Sequence, residues 1–338
     1  MYIEEHVPLA PHTTFGIGGP ARYFARVGTT DELKEALAFA DEKNMPVCVL
    51  GGGSNVLIDD RGFRGLVLQV AIEGIDYEIE GSQTTVTVGA GESWDGFVSE
   101  VIDRDLWGVE NLSGIPGTVG GAVVGNIGAY GQVQSQTFAG VDVFNTHSKT
   151  VERLHVTECR FGYRESIFTL EAGKYIVIHA VYALSHQAQP DLSYTDLQKM
   201  FAEQPNPPLR TIREAVLHIR EGKFPDLLKE GSAGSFFKNP IVSKDEARKL
   251  LERYPAMPQF SMPETDGVKI PLGWLIDHVL HLKGYSEGGA RLFEKQALVI
   301  AARRGTSASA VRALANSVRE KIFNECGISI EHEVKIIS

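Results

Sequence analysis

Cysteine is scarce in this chain: three thiols, Cys48, Cys159 and Cys326, among 338 residues. Their odd number and wide spacing exclude a disulfide framework and leave no CxxC pair for metal or redox chemistry, so they read as small core residues. Long apolar runs are missing too, none approaching the roughly 18 residues of a membrane-spanning helix. The opening MYIEEHVPL lacks the basic stretch and apolar run of a secretion signal, and the expectation is a cytoplasmic protein without membrane insertion. Positive charge is thin: 33 Lys and Arg against 43 Asp and Glu give a net charge of −10, without a basic cluster. That excludes the electrostatic footprint of a nucleic-acid binder and requires any anionic ligand to be met by local groups.

The familiar catalytic signatures are absent as well. Without GxxxxGK[ST], HExxH or an EF-hand loop, nucleoside triphosphate hydrolysis drops out and no metal site is argued by spacing. GIGGPA (16–21) matches a dinucleotide fingerprint loosely, but it precedes an expected strand instead of opening a helix. Ser235 and Lys238 form Ser-x-x-Lys in SAGSFFK with no SDN or KTG to accompany it, and no GxSxG elbow occurs, so an acyl-enzyme serine is a weak reading.

What is present in quantity is glycine. Residues 114–132, GIPGTVGGAVVGNIGAYGQ, hold seven glycines and no charged side chain, and a second glycine loop, GGGSN, follows the apolar run Val47–Leu50. Glycine lets a ligand approach the main chain, and successive N–H groups in such turns bind anions. Ser54, Asn55, Thr118 and Asn126 add neutral hydrogen-bonding groups, which together suit a bulky ligand carrying a pyrophosphate. A tight packing corner is the plainer alternative.

Around these loops both periodicities occur, and with 43% hydrophobic residues the chain is long enough for two or three domains. A strand over 21–27, a helix capped by Thr30 or Asp31 and closed by Pro46, and the Val47–Leu50 strand form a β-α-β unit. Strands at 65–70, IDYEIE and TTVTVGA, with a helix over about 94–105, join that unit in a mixed sheet, and 140–144 and 174–184 read as further strands. PNPPL (205–209) marks a boundary before a helix opened by Thr211, with Glu214 as its capping-box partner. Helices over 243–253 and 307–325 follow, the second stopped by Gly327, and a strand ISIEHEVKII ends the chain. His179, His218 and His281 lie in apolar surroundings and read as core or helix-surface residues rather than ligands.

TTFGIGG (13–19), LGGGSNVLI (50–58), ENLSGIPGTVGGAVVGNIGAYG (110–131), CRFGYRESIF (159–168), SAGSFFKNP (232–240), GWLID (273–277) and IEHEV (330–334) stand in this order. In that combination the chain resembles the UDP-N-acetylenolpyruvoylglucosamine reductase family over nearly its whole length. LSYTDL (192–197) resembles the branch with a tyrosine loop that covers the substrate. The resemblance implies an α+β chain: an FAD-binding fold of the vanillyl-alcohol-oxidase type in two subdomains, 1–70 and 71–205, then a substrate-binding domain, 206–328. A terminal strand, 329–338, would bring Glu333 to the active site.

The activity it implies is reduction of the enolpyruvyl ether of UDP-N-acetylglucosamine in peptidoglycan precursor synthesis, with non-covalent FAD and with NADPH as hydride donor. The partner is then a UDP-sugar, and a monomer is expected. Carried over residue by residue, the FAD contacts are Gly52, Gly53, Ser54, Asn55, Ile115, Pro116, Gly117, Thr118, Gly120, Gly121, Asn126, Gly128, Ala129 and Arg220. Arg164 stabilises negative charge on the substrate carboxylate, Glu333 beside it must be a neutral hydrogen-bond donor, and Ser235 gives a proton to the carbanionic carbon. Tyr163, Tyr194, Lys223, Asn239 and Gln296, with Lys269 as a further contact, meet the sugar nucleotide.

Singly, each of these has a plainer account: Arg164 as a surface partner of Glu165 or Glu158, Glu333 on a solvated strand face, Ser235 satisfying a turn. Two other functions stay in view, an FAD-dependent oxidase of a small alcohol or sugar lactone, and a binding protein without turnover. The GYRES and SAGSFFKNP matches weigh against the oxidase, and the intact candidates Arg164, Ser235 and Glu333 weigh against the binding protein.

Overall fold

The computed structural model describes residues 1–261 and 267–338. In chain order the first part gives β1 (Ile3–Pro8), β2 (Pro20–Val27), α1 (Thr30–Glu42), β3 (Val47–Leu50), β4 (Val56–Ile58), β5 (Phe63–Val70), β6 (Ile75–Glu80) and β7 (Gln83–Gly89). Then come α2 (Trp94–Asp103), α3 (Val119–Gly125), β8 (Gly128–Ala129), β9 (Gln132–Val133), β10 (Phe138–Asn145), β11 (Thr150–His155), α4 (Ile167–Leu170), β12 (Tyr175–Ser185), α5 (Thr195–Met200) and α6 (Leu209–Glu221). Contacts divide the chain into two compact units. The first holds Met1–Val7, Ala21–Gly53 and Phe63–Glu221; the second holds Pro8–Pro20, Ser54–Gly62 and Gly222–Ser338.

Besides the two-stranded β8–β9 hairpin, the first unit contains two separate sheets, so the strands expected in one mixed sheet are shared between them. In the order β1-β2-β5-β3, β5 pairs in parallel with both β2 and β3, Val27 opposite Val70 and Leu50 opposite Gln69. The β-α-β crossover through α1 therefore skips one strand position. The second sheet, β11-β10-β12-β7-β6, is antiparallel throughout. One core cluster runs from Leu33 and Leu37 of α1 through both sheets to Trp94 and Phe97 of α2 and Ile212, Val216 and Ile219 of α6. Trp94, wholly inside, spends its indole N–H on the Leu112 carbonyl at 2.9 Å, as a buried donor must.

Capping places several helix starts a residue or two from where the sequence suggests. Thr29, not Thr30 or Asp31, caps α1 by accepting the Glu32 N–H. α6 begins at Leu209 behind Pro208, whose carbonyl accepts the Ile212 N–H, so Thr211 lies inside the first turn and caps nothing. Because the apolar face of α6 is buried in the first unit's core, the division between units falls at Glu221 and Gly222 instead of at 206.

The second unit adds β13 (Gly231–Ser235), β14 (Ile241–Ser243), α7 (Lys244–Arg253), β15 (Phe260–Ser261), β16 (Gly267–Lys269), α8 (Leu272–Trp274), β17 (Ser286–Glu287), β18 (Ala290–Phe293), β19 (Gln296–Ala302), α9 (Ala308–Cys326) and β20 (Lys335–Ile337). β13-β19-β18-β17 form one sheet, β14-β16-β15 a second, and β20 runs parallel beside β4. α9 is capped by Ser307 and by Asp60, whose carboxylate accepts the Ala308 and Ser309 N–H groups; it stops at Gly327, φ 72°. The expected terminal strand over 329–338 is reduced to Lys335–Ile337. Ile330 and Val334 are buried, but 330–334 runs as a single crossing chain with one bridge, His332 to Phe237.

Cys159 is buried and Cys48 and Cys326 half-buried, while His218 and His281 are exposed, the latter at φ 51°. Among the described residues no helix is long and apolar enough to cross a membrane.

Candidate active site

In the first unit the two glycine loops run against each other. A Cβ on Gly52 would stand 2.8 Å from the Gly117 Cα, and one on Gly51 2.5 Å from the Thr118 hydroxyl. Only bare backbone allows that approach, and Gly53 at φ 62° and Gly117 at φ 122° lie where other residues are strained. Thr118 then caps α3, its hydroxyl accepting the Gly121 N–H, while Gly120 packs where a Cβ would be 2.9 Å from that of Ala90. Pro116 is exposed; Ile115, Gly128 and Ala129 are half-buried. Both glycine segments thus present main chain, which suits a ligand with a pyrophosphate.

The expected cofactor loop is itself divided. Gly52 and Gly53 belong to the first unit and Ser54 and Asn55 to the second. The Asn126 amide is engaged at both ends, donating to the Gly162 carbonyl and accepting from Gln134, and its main-chain N–H closes α3 on the Ala122 and Val123 carbonyls, so this residue holds the fold. Arg220 sits at the end of α6 against Gly114, where a Cβ would be 3.1 Å from its Nε. Burial draws its pKa down while a hydrogen bond to the Tyr130 phenol and the charge of Asp95 oppose the shift.

Arg164 adopts φ 56°, a left-handed conformation that costs a non-glycine residue about 1 kcal/mol. The turn is closed by reciprocal main-chain bonds between Gly162 and Glu165, and the guanidinium donates to the Gly128 carbonyl at 2.9 Å. The side chain is therefore tied to the glycine-rich segment rather than simply lying on the surface. Tyr163 beside it is half-buried. Tyr194 stands at the start of α5 with its ring edge-on to Tyr130, centroids 5.0 Å apart. Tyr130, Asn111 and Glu110 are site-adjacent residues that the sequence reading passed over, Tyr130 being marked only by its place one residue beyond the expected contacts.

In the second unit, segments far apart in sequence converge. Ser235 closes β13 opposite Val299 of β19, and the next residue accepts at its carbonyl the Glu333 N–H, 2.9 Å away. Lys238 N donates to the Glu331 carbonyl at 3.0 Å. The chain pieces carrying Ser235 and Glu333 thus lie side by side. Asn55 holds the second piece, its amide donating to the Glu333 carbonyl and its own carbonyl accepting from Lys335 N. Thr14 holds the first, its hydroxyl 2.7 Å from the Ser232 carbonyl. Glu333 is half-buried, not on the solvated face that alternation alone allows. His332 lies between Phe236 and Phe237, and burial lowers its pKa, helped by Arg319 and Arg312.

The expected substrate contacts of this unit gather about α8 in part. Asn239 Oδ1 accepts the Leu272 N–H at 3.0 Å, and Gln296 Oε1 lies where a Cβ on Gly273 would be 3.2 Å away. Lys223 and Lys269 are half-buried, each in its own segment.

Residues 21–153 match a family model described as an FAD binding domain, and residues 226–337 match the C-terminal domain of UDP-N-acetylenolpyruvoylglucosamine reductase. The UDP-N-acetylenolpyruvoylglucosamine reductases of Ralstonia nicotianae and Chromobacterium violaceum are 38% and 39% identical to the chain. The first alignment covers 99% of both proteins; the second covers 100% of this chain and 99% of the relative. Among solved structures, the Thermus caldophilus enzyme of that name matches with a TM-score of 0.70 and 27% identity over 100% of both chains. An FAD-binding α+β fold followed by that C-terminal domain, with relatives matched end to end, means that the chain belongs to the UDP-N-acetylenolpyruvoylglucosamine reductase family.

Proposed function

We propose that this protein reduces the enolpyruvyl ether of UDP-N-acetylglucosamine to UDP-N-acetylmuramate in the cytoplasm, as a step of peptidoglycan precursor synthesis. The observation that carries the reading is the pairing of the Ser235 segment with the Glu333 segment, which gives two otherwise unremarkable residues a shared address. Bound FAD, renewed by NADPH, supplies the hydride for the terminal carbon of the double bond. The glycine loops Gly52–Gly53 and Gly114–Ala129 offer it close-packed main chain, and Arg220 offers a fixed positive charge.

As the double bond breaks, negative charge spreads from the adjacent carbon onto the substrate carboxylate. Arg164, held by Gly128 and by its turn, places a guanidinium for those oxygens without reorganising. A neutral carboxyl at Glu333 donates a hydrogen bond to the same developing charge. Ser235 delivers its hydroxyl proton to the carbanionic carbon, and solvent replaces that proton afterwards. For the sugar nucleotide, Lys223 meets the diphosphate, and Asn239, its carbonyl spent on Leu272, contributes its NH2 group. Tyr163, Tyr194, Gln296 and Lys269 complete the contacts.

The test separates the two halves of the cycle by anaerobic stopped flow. Ser235→Ala should leave bleaching of the FAD by NADPH intact and slow its recovery with the enolpyruvyl substrate by about 10²- to 10⁴-fold. Equal slowing of both halves overturns the role of Ser235, and wild-type protein that bleaches but never recovers overturns the substrate.

A further inference from the structure

Between β12 and α5 the chain runs as a strap whose first residues, Gln187–Gln189, are exposed and whose end carries Tyr194. Its attachment is local. Asn111, with no exposed surface, uses one side-chain nitrogen for two carbonyls, that of Tyr130 at 2.8 Å and that of Asp191 at 2.7 Å. Asn111 is itself fixed, because its N–H donates to Gln132 Oε1 and Gln132 Nε2 donates to Glu110 Oε1, each at 2.9 Å. The β8–β9 hairpin closes against the strap at Gly131: a Cβ there would lie 2.6 Å from Ser193 Oγ and 3.0 and 3.1 Å from the Asp191 carboxylate oxygens. Asp191 in turn accepts the Ser193 N–H at 2.9 Å, and Tyr130 meets Tyr194 edge-on.

We propose that Asn111 is a positioning residue that latches the Asp191–Tyr194 strap onto the Tyr130 hairpin and so sets the affinity for the sugar nucleotide. This rests on the function proposed above, in which Tyr194 contacts that substrate. Both hydrogens of one amide nitrogen are needed, one for each chain segment. Neither a carboxylate nor an apolar side chain of the same size can supply them. The hairpin also holds the phenol bonded to Arg220, so the strap takes its place from the same residues that shape the cofactor side of the unit.

The experiment uses the FAD-loaded full chain with Asn111→Ala, Gly131→Ala and Tyr194→Ala. Deuterium exchange, read by mass spectrometry without substrate, should quicken about tenfold in 187–196 for the first two variants and remain as in wild type over α2. The KM for UDP-N-acetylglucosamine enolpyruvate should rise about tenfold, the size of one lost hydrogen bond, while FAD reduction by NADPH stays within about twofold. In a Tyr194→Ala background the added Asn111→Ala change should leave KM alone. Unchanged exchange in both variants overturns the latch, and Gly131→Ala keeps that test available where Asn111→Ala does not fold. Unchanged KM for Asn111→Ala and Gly131→Ala, with a raised KM for Tyr194→Ala, overturns the link to affinity. A wild-type enzyme that reduces its FAD but never turns over the sugar nucleotide overturns the proposed function instead, and exchange alone then decides the latch.

Discussion

Glu110 has no exposed surface, yet its two carboxylate oxygens accept the Gly108 N–H at 2.8 Å and the Gln132 amide at 2.9 Å. Burial raises its pKa above the usual 4.5, and these hydrogen bonds only partly oppose it. A raised acid binds its proton more tightly in the folded state than in the unfolded one. Its contribution is therefore fully present below the unfolded value and is lost as pH rises through the folded one. Glu110→Gln cannot titrate, but turns an NH2 toward a donor and should cost about 1–3 kcal/mol in acid. The advantage of wild type over the variant should shrink as pH climbs above about 4.5, measured by urea unfolding between pH 4 and 8. A constant difference would show that Glu110 is ionised in both states. Nothing in ENLSG distinguishes this buried acid from an ordinary loop glutamate. Asn111 is equally silent, because partners 19 and 80 residues away carry no local spacing signal.

At the scale of elements, α2 and α6 are joined by Asp95 and Arg213 through two hydrogen bonds of 2.6 and 3.0 Å, and Asp95 also accepts the N–H of Gly114, where the glycine segment begins. Burial pushes the Asp95 pKa up, but Arg213 and Gly114 together outweigh it and leave the group below 3.8. Stability from such a depressed acid is present above the unfolded pKa and is lost as pH falls through the folded one. With Asp95 about a third exposed, Asp95→Asn should cost about 1–2 kcal/mol at pH 7 and progressively less below pH 3.8, with the loosened Gly114 weakening FAD retention. Equal unfolding midpoints at pH 7 would remove this strut from the account. The sequence marks a helix behind PNPPL but not the face formed by Ile212, Ala215, Val216 and Ile219 or which core that face enters, and the proline-rich stretch suggests a boundary that packing puts one helix later. The alternation in ISIEHEVKII likewise reports burial faithfully at Ile330 and Val334, whereas a strand needs a partner, and β4 supplies one only from Lys335. The order of the glycine, GYRES and SAGSFF segments was plain in the sequence. Within the second unit, the meeting of the SAGSFF and IEHEV segments through Thr14, Asn55 and Phe236 is tertiary and left no pattern to read.

Over the whole molecule, the net charge of −10 belongs to a protein whose proposed reactants are both anionic. Many of its cations are already committed: Arg153 to Asp142, Arg253 to Glu325, Arg291 to Glu230, Arg312 to Asp59, and both Arg160 and Lys174 to Glu171. Exposed pairs of this kind add little stability, but they cancel the positive field that would reach beyond the surface. From a distance NADPH and the sugar nucleotide meet net repulsion, and attraction begins only at contact range. Salt acts on the two ranges differently, because the screening length falls from about 30 Å at 0.01 M to about 8 Å at 0.15 M. Moderate salt should remove the long-range repulsion first, so kcat/KM for NADPH should rise by about two- to threefold across that interval and decline only at higher salt, where contact pairs weaken. The same rise with sodium chloride and with choline chloride would identify it as screening. A decline from the lowest salt upward would mean that local cations, Arg220 and Lys223 first among them, steer the anions despite the net charge.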